Sequence, residues 1–120
     1  MNIAAHLHDI GKISVPDAVL NKVEPLTDEE WQLIRRHPQI GAEILSKSAH
    51  LNELKDIVLC HHERYDGKGY VQGLKGEKIP LNARIIGIAD AFDAMTANRV
   101  YRKKLDMEFV LNEIKKGRGT

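Results

Sequence analysis

The chain has 120 residues, with 18 Lys and Arg against 17 Asp and Glu and a formal net charge of +1; that is one domain's worth of sequence, without the basic excess of a domain held on duplex nucleic acid by bulk electrostatics. A chain this size buries roughly two-thirds of its extended surface on folding, and its single cysteine, Cys60, cannot build an internal disulfide framework, which points to a reducing, cytoplasmic setting. No apolar run approaches the ~20 residues of a membrane span, and the opening MNIAAHLHDIGK lacks the basic and apolar regions of a signal peptide.

Helical periodicity runs through most of the chain. Ile3, Ala4, Leu7 and Ile10 recur at helical spacing, which predicts that the chain begins inside a helix stopped at Gly11. Ser14-Val15-Pro16-Asp17 predicts a turn into a short helix through Leu20. Thr27-Asp28-Glu29-Glu30 is a capping box, with Thr27 capping and Glu30 reaching back. Trp31, Leu33 and Ile34 follow as the apolar side, with Trp31 expected in the core. Pro38 is expected to break this helix just after His37, and a second helical stretch runs from Ile40 to Leu45. Leu54, Ile57, Val58 and His61 form the next stripe, with Cys60 as a small buried hydrophobe.

Arg64 to Pro80 carries Gly67, Gly69, Gly73, Gly76 and few periodic apolar positions, so it reads as a long loop of the kind that is functional or disordered. Leu81 to Asn98 reads as the longest helix, with Ile85, Ile86, Ala89, Phe92, Ala94 and Met95. It would span roughly 27 Å and run through the centre of the domain, with Phe92 in the core. Asp106 is expected to cap a last helix, Met107 to Lys116, which Gly117 ends. No stretch reads as a strand, and the predicted class is all-α.

Against only 5% aromatics, the chain carries six histidines. His8-Asp9, His37 and His61-His62 are each expected at a helix end, and Asp90 sits within the long helix among small and apolar residues. Asp93 lies one turn on, so both carboxylates can point the same way. A mid-helix aspartate on an apolar face is costly unless it is paired or bound to metal. Imidazole and carboxylate together suit zinc, iron or manganese. His8, Asp9, His37, His61, His62 and Asp90 are too many ligands for one tetrahedral zinc and suit two metals bridged by a carboxylate. Taken singly, each has a plainer reading as a cap or surface residue, and His37 would suit the dipole at a helix C-terminus. His6 and His50 are assigned to structural or surface roles.

Four stretches decide between these readings: HDIGK (8–12), PLTDEEWQLIRRHPQIGAEIL (25–45), HHERYDGKGY (61–70) and LKGEKIPLNARIIGIADAFDAMTANRVYRK (74–103). Together they resemble the HD-GYP family, a branch of the HD-domain metal-dependent phosphohydrolases. The resemblance implies a single HD-domain helical bundle over 1–120, with a long glycine-rich loop between the His61-His62 helix and the central long helix. It implies hydrolysis of the bacterial second messenger cyclic di-GMP to the linear dinucleotide pGpG, to GMP, or to both. The implied centre holds two or three iron or manganese ions, with Asp9 as bridging carboxylate and His8, His37, His61, His62 and Asp90 as the other ligands.

Lys12 corresponds to a lysine beside the scissile phosphate, and Asp93, Arg99 and Arg102 to contacts with the dinucleotide. The implied partners are cyclic di-GMP, diguanylate cyclase (GGDEF) domains, and a sensor or receiver domain in a longer parent. Two departures stand out. Val71 replaces the proline of the GYP signature, which is expected to perturb loop order or partner contacts, and the family's upstream ligand helix and the end of its last helix are absent, so the chain is expected to be truncated at both ends. Those departures support an alternative, a catalytically impaired remnant acting as a nucleotide-binding or protein-interaction module. A third reading, an HD phosphatase for another nucleotide, conflicts with the glycine loop.

Overall fold

The structure, a computed structural model, describes residues 2–96 and 107–120. Among the described residues there are seven α-helices and no strand, in keeping with the expected class. They are α1 (Asn2–Leu7), α2 (Asp17–Leu20), α3 (Asp28–Arg35), α4 (His37–Ser46), α5 (Lys55–Cys60), α6 (Leu81–Thr96) and α7 (Met107–Lys116). Short 3-10 turns occupy Ile10–Ser14, Asn52–Leu54 and Gly76–Lys78.

The capping box forms as the sequence predicts. The Thr27 hydroxyl accepts from the Glu30 amide at 3.2 Å, and the Glu30 carboxylate accepts from the Thr27 amide at 2.8 Å. Lys22 pairs with the same Glu30 oxygen at 2.8 Å. No residue of α3 is fully buried, and Trp31, expected in the core, is 48% exposed. The break between the two helices falls one residue earlier than expected. Arg36 is its C-cap, and His37 and Pro38 open α4, because a proline that breaks a helix fits the first turn of the next, where no amide is needed.

Helix α4 is the centre of the packing. His37, Pro38, Gly41, Ala42 and Leu45 are buried along one stripe, which meets α5 on one side and the Ile10–Ser14 turn on the other. The first helix stops at Leu7, not at Gly11. Gly11 instead lies inside the 3-10 turn, buried against α4. A Cβ there would stand 1.8 Å from the His37 carbonyl oxygen and 2.7 Å from the Gly41 amide nitrogen. Only a residue without a side chain lets the two backbones touch, and the contact sets Asp9 beside His37.

Cys60, Ile79 and Ala83 form a buried cluster, with Ile57, Leu59 and Leu74 packed on it. It joins α5, the end of the Arg64–Pro80 stretch and α6. Helix α6 does not run through the centre of the domain. It buries Ala83 and Ile86, while Leu81, Ile85 and Ile88 on its other side stay exposed and Phe92 is half-buried. Asp90 follows Ala83 and Ile86 at helical spacing, on the inward stripe. Val110 of α7 is fully buried, and Gly117 closes that helix with its amide on the Glu113 carbonyl. Asn98 and the expected cap Asp106 lie outside the described residues.

The Gly11 contact carries a prediction. Gly11→Ala forces two backbones apart, so it lowers the unfolding free energy by about 3 kcal/mol or more, read from urea denaturation. A loss under about 1 kcal/mol, the range of a mild surface change, contradicts this packing.

Candidate metal centre

Two imidazoles, His37 and His61, stand among the largest almost wholly buried side chains of the described residues, each 1% exposed. Buried polar groups need partners, and each ring finds its first in its own helical turn. His37 Nδ1 bonds the Ile34 carbonyl at 2.6 Å, His61 Nδ1 the Val58 carbonyl at 2.6 Å, and His8 Nδ1 the Ala5 carbonyl at 2.5 Å. The carbonyl can only accept, so in each ring Nδ1 carries the proton. In a neutral ring Nε2 is then left as a lone pair aimed inward. This is the arrangement in which a histidine binds a metal through Nε2.

The inward atoms converge on Asp9. Its Oδ1 lies 3.1 Å from His37 Nε2 and 3.6 Å from His61 Nε2. Its Oδ2 lies 3.3 Å from His8 Nε2 and 3.1 Å from Lys12 Nζ. His37 Nε2 is 3.4 Å from His61 Nε2 and 3.2 Å from His62 Nε2. Asp90 Oδ1 reaches His8 Nε2 at 3.6 Å. Two potential ligand groups result: Asp9, His37, His61 and His62, and His8, Asp9 and Asp90. Both contain Asp9.

These residues fit a divalent metal. His8 Nε2 and Asp9 Oδ1 are buried, and neither has a hydrogen-bond partner among the described residues. Lone pairs of neutral imidazoles facing one another at 3.2–3.4 Å repel unless a cation or a proton lies between them. The nitrogen and carboxylate donors suit zinc, iron or manganese.

The electrostatics follow from the crowding. Burial opposes ionisation of Asp9, but the imidazoles of His37, His61 and His8 outweigh it and hold its carboxyl far below the usual carboxylate range. Asp9 and then Asp90 push His8 up to about 10, against its burial. His8 in turn holds Asp90 below its ordinary value. Burial and the neighbouring His61 and His37 push His62 down to about 3, so it stays neutral. Burial pushes the Cys60 thiol up to about 11, which suits a packing role and not a ligand role.

All six residues named from the sequence as ligands thus lie in these two groups, and Lys12 lies beside Asp9. Asp93 is exposed and outside both groups. Arg99 and Arg102 lie outside the described residues. His6 and His50 are exposed, as expected.

Sequence reasoning passed over Glu63. Its carboxylate accepts from the amides of Gln72, Gly73 and Leu74 at 2.6, 3.1 and 3.0 Å, folding the glycine-rich stretch around one anion. The available signal was an acid directly after the His pair and ahead of a stretch rich in free amides. Tyr70 and Arg35 were also missed as neighbours of the site. Tyr70 stacks on His62, and the Arg35 guanidinium lies 5.7 Å from the Tyr70 ring centre.

The HD domain family profile matches residues 1–120. The chain belongs to the HD domain family. It is 47% identical over 121 residues to the cyclic di-GMP phosphodiesterase response regulator RpfG of Xanthomonas campestris, covering 99% of this chain and 32% of the relative. It is 50% identical over 102 residues to the cyclic di-GMP phosphodiesterase PA4108 of Pseudomonas aeruginosa, covering 84% and 25%. It is 39% identical over 118 residues to the 3'3'-cGAMP-specific phosphodiesterase 2 of Vibrio cholerae, covering 97% and 23%. The chain therefore spans a third or less of these relatives' length.

The His8 environment gives a pH prediction. Its folded value, about 10, lies above the ordinary 6.5. Its contribution to the stability of the metal-free fold is therefore full below pH 6.5 and is lost as pH rises through about 10. A metal takes Nε2 only when the proton leaves, so Mn²⁺ uptake near pH 8 releases about one proton from this ring. Calorimetry in buffers of different ionisation enthalpy measures the release, and His8→Ala lowers it by about one.

Proposed function

We propose that this chain is an HD-GYP-type phosphodiesterase domain that hydrolyses cyclic di-GMP to the linear dinucleotide, to GMP, or to both. The observation that carries the reading is the double use of Asp9. One carboxylate belongs to both ligand groups, as a bridging ligand of a two-metal phosphodiesterase must. The relatives named cyclic di-GMP phosphodiesterases, at 47% and 50% identity, support the substrate. The presence of all six candidate ligand residues in the two groups favours an enzyme over a remnant.

Two or three ions, iron or manganese, would be held by His8, Asp9, His37, His61, His62 and Asp90. When bound, such ions would make a coordinated water far more acidic than bulk water, supplying hydroxide near neutral pH, and would offset charge on the phosphoryl oxygens. The chain's own residues do the rest. Asp9 fixes the spacing of the two groups, because its two oxygens face different histidines. The Nδ1–H bonds of His8, His37 and His61 hold those rings in one tautomer. Lys12 Nζ, 3.1 Å from Asp9 Oδ2 and 40% exposed, stands at the rim as a cation that stabilises charge on the reacting phosphate. Asp93, Arg99 and Arg102 are proposed to contact the nucleotide.

The setting is proposed to be cytoplasmic, and no helix among the described residues is long and apolar enough to cross a membrane. A sensor or receiver domain and GGDEF domains are the proposed partners. One relative's name, response regulator, supports the first of these. A second substrate, 3'3'-cGAMP, is favoured by the relative named for it at 39% identity over 97% of this chain.

Protein purified without oxygen is expected to hold about two metals per chain. With Mn²⁺ it is expected to hydrolyse cyclic di-GMP faster than 3'3'-cGAMP. Asp9→Asn removes the shared ligand and lowers kcat/KM by at least about a thousandfold, a barrier change of roughly 4 kcal/mol. Lys12→Ala lowers kcat by roughly a hundredfold. If Asp9→Asn hydrolyses cyclic di-GMP as fast as the parent protein, the proposal fails.

A further inference from the structure

His62 differs from the other three imidazoles of the centre. Those three are aimed by Nδ1–H bonds to a backbone carbonyl three residues earlier. Among the described residues, His62 Nδ1 makes no such bond, and the ring's nearest polar neighbour is His37 Nε2 at 3.2 Å. Its face is covered instead. The Tyr70 ring lies parallel to it, at an interplanar angle of 18° and a centroid distance of 5.0 Å.

We infer that Tyr70 is a positioning residue that fixes the plane of the His62 imidazole, supplying by ring stacking the constraint that backbone carbonyls supply to His8, His37 and His61. A χ2 rotation of His62 away from its observed plane drives its edge into the Tyr70 face. Offset-stacked rings at this distance attract as well as exclude.

The loop holds Tyr70 there by three separate devices. Its amide donates to the His62 carbonyl at 3.2 Å, tying the backbones of the two stacked residues together. Gly69 lets the loop close this tightly. A Cβ there would lie 2.3 Å from the Arg64 amide nitrogen and 2.5 Å from the His62 carbonyl oxygen. Beyond Val71, the Glu63 carboxylate holds three successive amides. The Arg35 guanidinium lies over the tyrosine ring, 5.7 Å from its centre. The loop, through Tyr70, thus lies against the one imidazole that its own helical turn leaves free, and α3 touches that loop through Arg35.

The inference rests on the metal-centre reading, and its test separates the two. Co²⁺ is titrated into the protein and into Tyr70→Phe and Tyr70→Leu, with the visible ligand-field band followed. Tyr70→Phe keeps the ring and is expected to bind Co²⁺ within about threefold of the parent, with the same band. Tyr70→Leu is expected to weaken binding at least about tenfold, the scale of a lost orienting partner, and to alter the band while far-UV circular dichroism is unchanged.

A Leu variant that titrates like the parent overturns the inference. So does a Phe variant as weak as Leu, which would assign the effect to the hydroxyl. If the parent takes up no Co²⁺, the metal-centre reading fails. In that case, or if the Leu variant does not fold, NMR of the metal-free parent and Phe proteins decides. The His62 ring protons are expected to be shifted upfield, with cross-relaxation to the ring at position 70. Their absence in the parent overturns the inference.

Discussion

The structure turns on a single carboxylate. Asp9 follows a short first helix and precedes a 3-10 turn, and its two oxygens face four nitrogen atoms: His37 and His61 on one side, His8 and Lys12 on the other. It joins the N-terminal segment to α4 and α5, and α6 is tied in through His8 and Asp90. His37 and His61 are fully buried, and a buried imidazole is tolerated only with partners for both nitrogens. Backbone carbonyls serve one nitrogen of each; the other faces Asp9 Oδ1, and a cation held between them would serve both. Packing and chemistry therefore make the same demand on this residue.

That demand extends to residues without chemistry of their own. Gly11 follows Asp9 by two positions and lets the N-terminal turn lie directly on the α4 backbone. The carboxylate is then close enough to reach imidazoles carried by two other elements. Ala83 and Ile86 do the corresponding work on α6, burying the stripe on which Asp90 lies. The acids sit where small side chains allow close approach, and the hydrophobic effect supplies the force that holds them there.

The features legible in the sequence are those whose cause is local. The Thr27–Glu30 capping box forms because both partners lie within one turn. The helix–proline–helix break follows from proline's missing amide, and only its position moved by one residue. The six residues that gather around Asp9 were legible as a set because imidazoles and carboxylates at helix ends or on a buried helix face have few other uses together. What escaped depends on distant partners. Gly11 looks like a stop in sequence, but its role is set by the His37 carbonyl. Trp31 has the pattern of a core residue, but α3 meets the bundle mainly through α4 and leaves the indole half in water. The run of apolar residues on α6 suggested a central helix, yet nothing in that run says which side meets a neighbour. Glu63 reads as one more charge until the loop amides fold around it.

The bonds from these imidazoles to carbonyls three residues earlier have a wider consequence. The aim of His8, His37 and His61 is encoded within four residues of chain in each case. None of these rings needs a distant side chain to choose its tautomer. Loops between the helices can then lengthen, shorten or change composition without turning those nitrogens away from the centre. The unit is portable: a short helical turn ending in histidine carries its own orientation to any scaffold that brings such turns together. His62 is the exception: its ring lies against Tyr70 of the glycine-rich loop, so a change of that loop reaches this imidazole and not the other three.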